Sequence, residues 1–145
     1  MPTYMLDTNI VSYLADPSSP FHAPVARAIR SMPDYSRLTI SVLTLYELAY
    51  GCERDPDRAS LLAIVREEGV GLLAPSEAGA EVFGRLKNAY RLRTGTRERN
   101  LVRYNVDLIL ASTAIVEGAV FVSNDGIFAA LAALEPRLMV ENWAV

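Results

Sequence analysis

Short apolar runs alternate with longer stretches of helical periodicity along this chain. Tyr4 to Leu6 reads as a first strand, Leu38 to Val42 as a second, Val70 to Leu73 as a third and Ala119 to Val122 as a fourth, with Arg137 to Val140 as a candidate fifth. Helical patterns fill the gaps. One runs from Asp7-Thr8-Asn9 to about Asp16 and is broken by Pro17-Ser18-Ser19-Pro20; another covers Val25 to Met32. Leu45, Leu48, Ala49 and Cys52, at i, i+3, i+4 and i+7, mark one face of a third helix. Arg58 to Glu68 is helical and stopped by Gly69, Ser76 to about Arg93 is a longer helix ended by Thr94-Gly95-Thr96, and Asn105 to Glu117 is capped by Gly118. Asp125-Gly126 turns into a last short helix. Strands alternating with helices predict an α/β fold: one domain over 1–145, with a central parallel sheet of four to five strands flanked by helices. Ligands of such sheets bind beyond the carboxyl ends of the strands.

Four acids fall at that edge. Asp7 closes the first strand, Asp125 follows the fourth, and Glu47 lies after the second, read here as the first turn of its helix. Asp107 opens the helix that feeds back into the fourth strand, and such a helix starts at the same edge. Each acid also has an ordinary structural role. Thr44 to Glu47 has the spacing of a capping box. Asp107, two residues after a possible Asn105 cap, suits the helix dipole. Asp125-Gly126 is a common turn pair, and Asp7 suits a helix cap.

Two features favour a joint role. Asp107 is the only ionisable group in Val106 to Val116, an otherwise apolar helix expected to be buried, and a buried carboxylate needs a partner. Converging carboxylates also repel: two charges ~5 Å apart at an effective dielectric near 20 cost about 3 kcal/mol. A divalent cation offsets that repulsion, and an all-oxygen ligand set suits Mg²⁺ or Mn²⁺ rather than Zn²⁺. Thr8, Asn9, Ser123 and Asn124 flank the acids and supply hydrogen-bonding groups.

Composition narrows the chemistry. The chain is 51% hydrophobic, enough for a sizeable core, and has no run of eighteen apolar residues, so no membrane span is expected. The N-terminus is strand-like from Thr3, without a basic leader, and a cytoplasmic protein is expected. Cys52 has no partner, which excludes an internal disulfide and speaks against a cysteine zinc site. His22, the single histidine, sits in a proline-rich connection or helix start and reads as a surface residue. The net charge of -3 hides a local excess: Arg85, Lys87, Arg91, Arg93, Arg97, Arg99 and Arg103 supply seven of the fourteen basic residues, with Glu98 the one acid among them. Such a segment either forms a solvated helix face or holds a phosphate backbone next to Asp107.

Met5-Leu6-Asp7-Thr8-Asn9, Leu45 to Gly51 around Glu47, Asn105 to Ala111 around Asp107, and Val122 to Phe128 around Asp125 together resemble the PIN-domain nucleases, and most closely the VapC-type toxins of bacterial toxin–antitoxin pairs. The four motifs come in that family's order and span the chain. The resemblance implies a PIN-like fold, Mg²⁺- or Mn²⁺-dependent cleavage of RNA, a homodimer and a cognate antitoxin. It implies a metal site at Asp7, Glu47, Asp107 and Asp125, with Thr8 and Asn124 at polar supporting positions. The chain departs from the commonest pattern at Val106, which separates Asn105 from Asp107. A non-catalytic PIN-like module that binds RNA or protein is the alternative, and the intact acid set argues against it. An Asp-nucleophile phosphatase fits less well, since Thr8 and Asn9 follow Asp7 where a second Asp is usual, and Lys87 is the only lysine.

Overall fold

The computed structural model describes residues 1–67 and 69–145, with Glu67 by its backbone alone. Five parallel strands form one sheet in the order β3-β2-β1-β4-β5, with β1 Thr3–Leu6, β2 Arg37–Ser41, β3 Gly71–Leu73, β4 Val120–Val122 and β5 Met139–Glu141. All four pairings are parallel, and Leu6 stands opposite Val122 in the β1–β4 register. The chain therefore builds outward from β1 to β3, returns across the sheet, and builds outward again from β4 to β5. The reversal falls between β1 and β4, where a crevice opens at the carboxyl ends of the strands.

The helices are α1 Thr8–Ala15, α2 His22–Arg30, α3 Val42–Arg54, α4 Ala59–Glu67, α5 Glu77–Thr94, α6 Glu98–Leu101, α7 Asn105–Glu117 and α8 Gly126–Leu134. They bury the two faces of the sheet in two separate cores. Met5 and Phe121 pack with Leu86, Leu108, Ala111 and Phe128 from α5, α7 and α8. Their neighbours Leu6 and Val122 point the other way and pack with Ile10, Val25, Leu48 and Leu61 from α1 to α4. This alternation is why the inner runs in β1 and β4 read as continuously apolar: successive residues are covered on one face or the other. No helix among the described residues is long and apolar enough to cross a membrane.

The strands and helices lie where the pattern places them, with shifts at the ends. The helix predicted over Arg58 to Glu68 is α4, preceded by a 3-10 turn at Pro56–Arg58; Glu68 lies outside the described residues. Gly69, Gly95 and Gly118 all have positive φ, and Gly95 and Gly118 end α5 and α7 in the left-handed region. The segment Glu98 to Tyr104, without an apolar pattern of its own, is not loop but α6 followed by a 3-10 turn at Val102–Tyr104. His22 starts α2, and its Nδ1 lies 3.0 Å from the Tyr13 carbonyl, so it fastens α2 to α1. The apolar helix around Asp107 is less buried than expected: Leu108, Leu110, Ala111 and Ala114 are in the core, but Val106 and Val116 face solvent. α7 packs on α5, α8 and β4, and its exposed residues lie at its two ends.

Candidate active site

Asp7 stands at the reversal point of the sheet. Its backbone N–H donates to the Val122 carbonyl at 2.9 Å, so the end of β1 is tied to the end of β4. Asp7 caps α1, accepting from the Thr8 N–H at 2.8 Å. Its second carboxylate oxygen accepts from the Ser123 hydroxyl at 2.7 Å and from Asn9 Nδ2 at 3.4 Å. The Ser123 hydroxyl in turn accepts from the Asp125 N–H at 3.0 Å, and Asp125 caps α8 by accepting from the Ile127 N–H at 3.2 Å. Capping thus holds Asp7 and Asp125 in place, and buried Ser123 links their two loops.

Glu47 and Asp107 arrive from helices. The capping box expected at Thr44 to Glu47 is not formed. Ser41 is the N-cap of α3, accepting from the Leu43 N–H at 3.1 Å, because the strand ends one residue earlier than the apolar run suggests. Glu47 therefore sits in the second turn of α3, at the surface, and its carboxylate accepts from the Thr8 hydroxyl at 3.2 Å. Thr44 is buried within the helix, its hydroxyl without a hydrogen-bond partner among the described residues. Asp107 lies in the first turn of α7. Asn105 is the first residue of that helix rather than its cap, and its side-chain oxygen accepts from Lys87 Nζ at 2.8 Å.

The electrostatics show that the four acids share one field. Asp107, half-buried, has its carboxyl pushed up to about 6, first by burial and then by the charges of Asp125, Asp7 and Glu47. Burial also raises Asp7, against the lowering effect of the Ser123 and Thr8 hydrogen bonds, and Asp125 adds to the rise. Burial raises Glu47 too, opposed by Thr8 and reinforced by Asp7. Among the described residues no three acids are drawn together closely enough to hold one ion as they stand.

A cavity of about 500 Å³ opens beside Asp107 and Asp125, with Tyr90, Arg103, Tyr104 and Ile127 in its wall. Of the seven basic residues singled out in the sequence, Arg103 reaches this cavity, and Arg93 lines an adjoining cleft that shares Tyr90 and Ala130 with it. Lys87 is engaged with Asn105, Arg91 bonds Asn88 and lies 3.8 Å from Glu98, and Arg85 lies 3.8 Å from Glu81. Arg97 and Arg99 are exposed at α6. A second, apolar cleft of about 260 Å³ between α5 and α7 shares no residue with the acid cavity.

The supporting polar positions belong to a network wider than the motifs. The Asn124 N–H donates to Asn9 Oδ1 at 3.3 Å, and Asn124 Nδ2 donates to the Tyr13 hydroxyl at 3.2 Å. Asn142 Nδ2 donates to Asn124 Oδ1 at 2.8 Å. Sequence reasoning missed both Tyr13 and Asn142: Tyr13 lies one helical turn after Asn9, a spacing that could have found it, whereas Asn142 stands apart from every motif.

Fold and site together define a doubly wound parallel-sheet domain with acids gathered at its reversal point. The PIN domain pattern matches residues 4–134, and the chain belongs to the PIN domain family. No curated protein sequence matches the chain significantly. Among solved structures, the chain is similar to that of VapBC2 from Rickettsia felis bound to a DNA fragment from their promoter, at 26% identity and a TM-score of 0.73, covering 97% of this chain and 98% of that one. VapBC-1 from nontypeable Haemophilus influenzae is similar at 23% identity and a TM-score of 0.72, covering 99% of both chains. A member of the VapBC family of toxin–antitoxin systems, VapBC-5 from Mycobacterium tuberculosis, is similar at 22% identity and a TM-score of 0.62, covering 98% of both.

Proposed function

We propose that this chain is the toxin of a toxin–antitoxin pair, an endoribonuclease that uses Mg²⁺ or Mn²⁺ to cleave RNA phosphodiester bonds. The observation that carries the reading is the shared field of Asp7, Glu47, Asp107 and Asp125. Raised carboxyls at Asp7, Glu47 and Asp107 are a net cost to the fold, and capping bonds and Ser123 hold Asp7 and Asp125 in place beside them. An all-oxygen set with excess negative charge fits a hard divalent cation. Asp7 and Asp107 are its main ligands, with Glu47 and Asp125 completing the site directly or through water. Bound there, a divalent cation supplies activation of the attacking water and stabilisation of the leaving oxygen. Asp7 is kept in one orientation by Ser123, Thr8 and Asn9, and Arg103 brings positive charge to the cavity beside Asp107 and Asp125. The likeness to VapBC complexes supports an antitoxin as the partner. A homodimer in the cytoplasm completes the reading.

Incubation of the purified protein with total cellular RNA separates this function from a non-catalytic module. Cleavage is expected with Mg²⁺ or Mn²⁺ and none with chelator; intact RNA under all three conditions supports the binding module instead. A smaller effect is expected from Ser123→Ala, which removes the donor to Asp7 and the acceptor for the Asp125 N–H. Groups that orient metal ligands typically change metal affinity by about 10- to 100-fold. Titration of cleavage against Mg²⁺ is therefore expected to show a half-maximal concentration raised by about that factor, with the maximal rate less affected. An unchanged Mg²⁺ requirement would show that Ser123 only supports the loop.

A further inference from the structure

The cavity beside Asp107 has one wall that acid chemistry does not explain. Tyr104 meets Tyr90 edge to face, ring centroids 5.3 Å apart at 63°. The Arg103 guanidinium lies over the Tyr104 ring, 5.0 Å from its centroid. Tyr90 is buried, Tyr104 is half-buried and packed on the core, and Arg103 is exposed, so a fixed aromatic base carries a solvent-facing planar cation. The 3-10 turn Val102–Tyr104 runs straight into α7, which puts this stack and Asp107 on one continuous piece of chain. All of these residues line the same cavity of about 500 Å³ as Asp107 and Asp125.

A contact to phosphate needs only a cation that reaches the backbone, and exposed Arg97 and Arg99 are such cations. Arg103 differs because it is laid on a ring. A guanidinium in that position is planar and weakly hydrated, and its outer face is free to stack. Unpaired bases are held in this way, on arginine planes and aromatic rings, whereas bases in a duplex have no free face to offer. Pockets of about 300–1,000 Å³ take small ligands, so the cavity has room for one nucleotide. We propose that Arg103 and Tyr104 form a stacking platform for one unpaired base, placing the adjoining phosphodiester at Asp107 and Asp125. This rests on the reading of the chain as a ribonuclease and gives Arg103 and Tyr104 a positioning role in it.

The test places 2-aminopurine at successive positions of an unpaired RNA oligonucleotide and records its fluorescence on binding to the wild-type protein in chelator, where no cleavage is expected. Quenching is expected at one position. Arg103→Lys keeps the charge, and Tyr104→Leu keeps an apolar group on the core; each is expected to lose most of the quench and to raise KM about 10-fold, the size of one lost base stack, with kcat changed less than about 2-fold. The wild type is expected to cut the unpaired RNA at least about 10-fold faster than the same sequence in a duplex. Retention of quench and KM in Arg103→Lys, with loss only in Arg103→Ala, would reduce Arg103 to a phosphate contact and overturn the platform. Equal cutting of duplex and single strand would overturn it as well. Quench without cleavage in any metal would leave the platform standing and remove the ribonuclease reading; cleavage without quench would do the reverse.

Discussion

Asp7→Asn is expected to lower RNA cleavage by at least about 1,000-fold, roughly 4 kcal/mol of transition-state free energy, while the protein stays folded. The two halves of this result have separate causes. Asn is as good a helix cap as Asp, so the bond from the Thr8 N–H, 2.8 Å in the wild type, has an oxygen to accept it. The Ser123 hydroxyl, now donating to Asp7 at 2.7 Å, can rotate to accept from an amide nitrogen instead. Removal of a charge that burial disfavours also relieves Asp107, which Asp7 raises. The fold therefore loses little. The site loses an anionic oxygen that a hard cation needs. Circular dichroism and thermal melting check the first half, and initial rates in Mg²⁺ and in Mn²⁺ check the second. Full activity in folded Asp7→Asn protein would remove the assignment. Asp7→Ala is the less informative variant, because loss of the cap alone costs about 1 kcal/mol and confounds the two effects.

The legible parts of this molecule were those governed by repeated patterns. The runs Tyr4 to Leu6 in β1 and Val120 to Val122 in β4 are short and without a charged residue because both faces of the sheet are covered, and α7 runs from Asn105 to Glu117 as its glycine stop indicates. The edge position of Asp7 and Asp125 followed from topology, since Asp7 comes directly after β1 and Asp125 lies in the short loop after β4, at the carboxyl ends of parallel strands. Features that depend on a single residue's geometry were not legible. The start of α3 at Val42 moved Glu47 by a turn, because Ser41 rather than Thr44 caps the helix, and either residue type serves. α6 and its 3-10 turn have no apolar repeat to announce them, yet they carry Arg103 and Tyr104 to the cavity. Basic residues close in sequence are dispersed by the helical repeat of α5: Lys87 faces Asn105, and Arg85 lies near Glu81 on the same helix. Asp107 was expected to be buried because its helix is apolar on nearly every side. It is instead half-buried at a cavity mouth, and it is raised by its neighbours' charges as well as by burial.

That field makes a second large effect measurable without substrate. Asp107, Asp7 and Glu47 all have folded-state carboxyls above their ordinary values, Asp107 at about 6. Between the ordinary carboxylate range and those raised values, the folded protein binds more protons than the unfolded chain, so their contribution to stability is present near pH 4 and is lost as pH rises. In chelator, the melting temperature of the wild type relative to Asp107→Asn is therefore expected to fall between about pH 4 and pH 7 and to level off above. On the proposed reading, a divalent cation acts in the opposite sense, because it competes with these protons for the same oxygens. The gain in melting temperature from Mg²⁺ is expected to be small at pH 5 and to grow towards pH 7.5. With Mg²⁺ at about 100 times its dissociation constant, the gain is about 2.7 kcal/mol, or roughly 10 °C for a domain of this size. The gain is expected to vanish in Asp7→Asn. An equal gain in both proteins would put the cation elsewhere, and a wild-type-minus-Asp107→Asn difference that is flat from pH 4 to pH 7 would show that the four carboxylates do not share the field described. The sign of the pH dependence thus separates acids that only cap helices, whose caps weaken on protonation, from acids held together against their own repulsion.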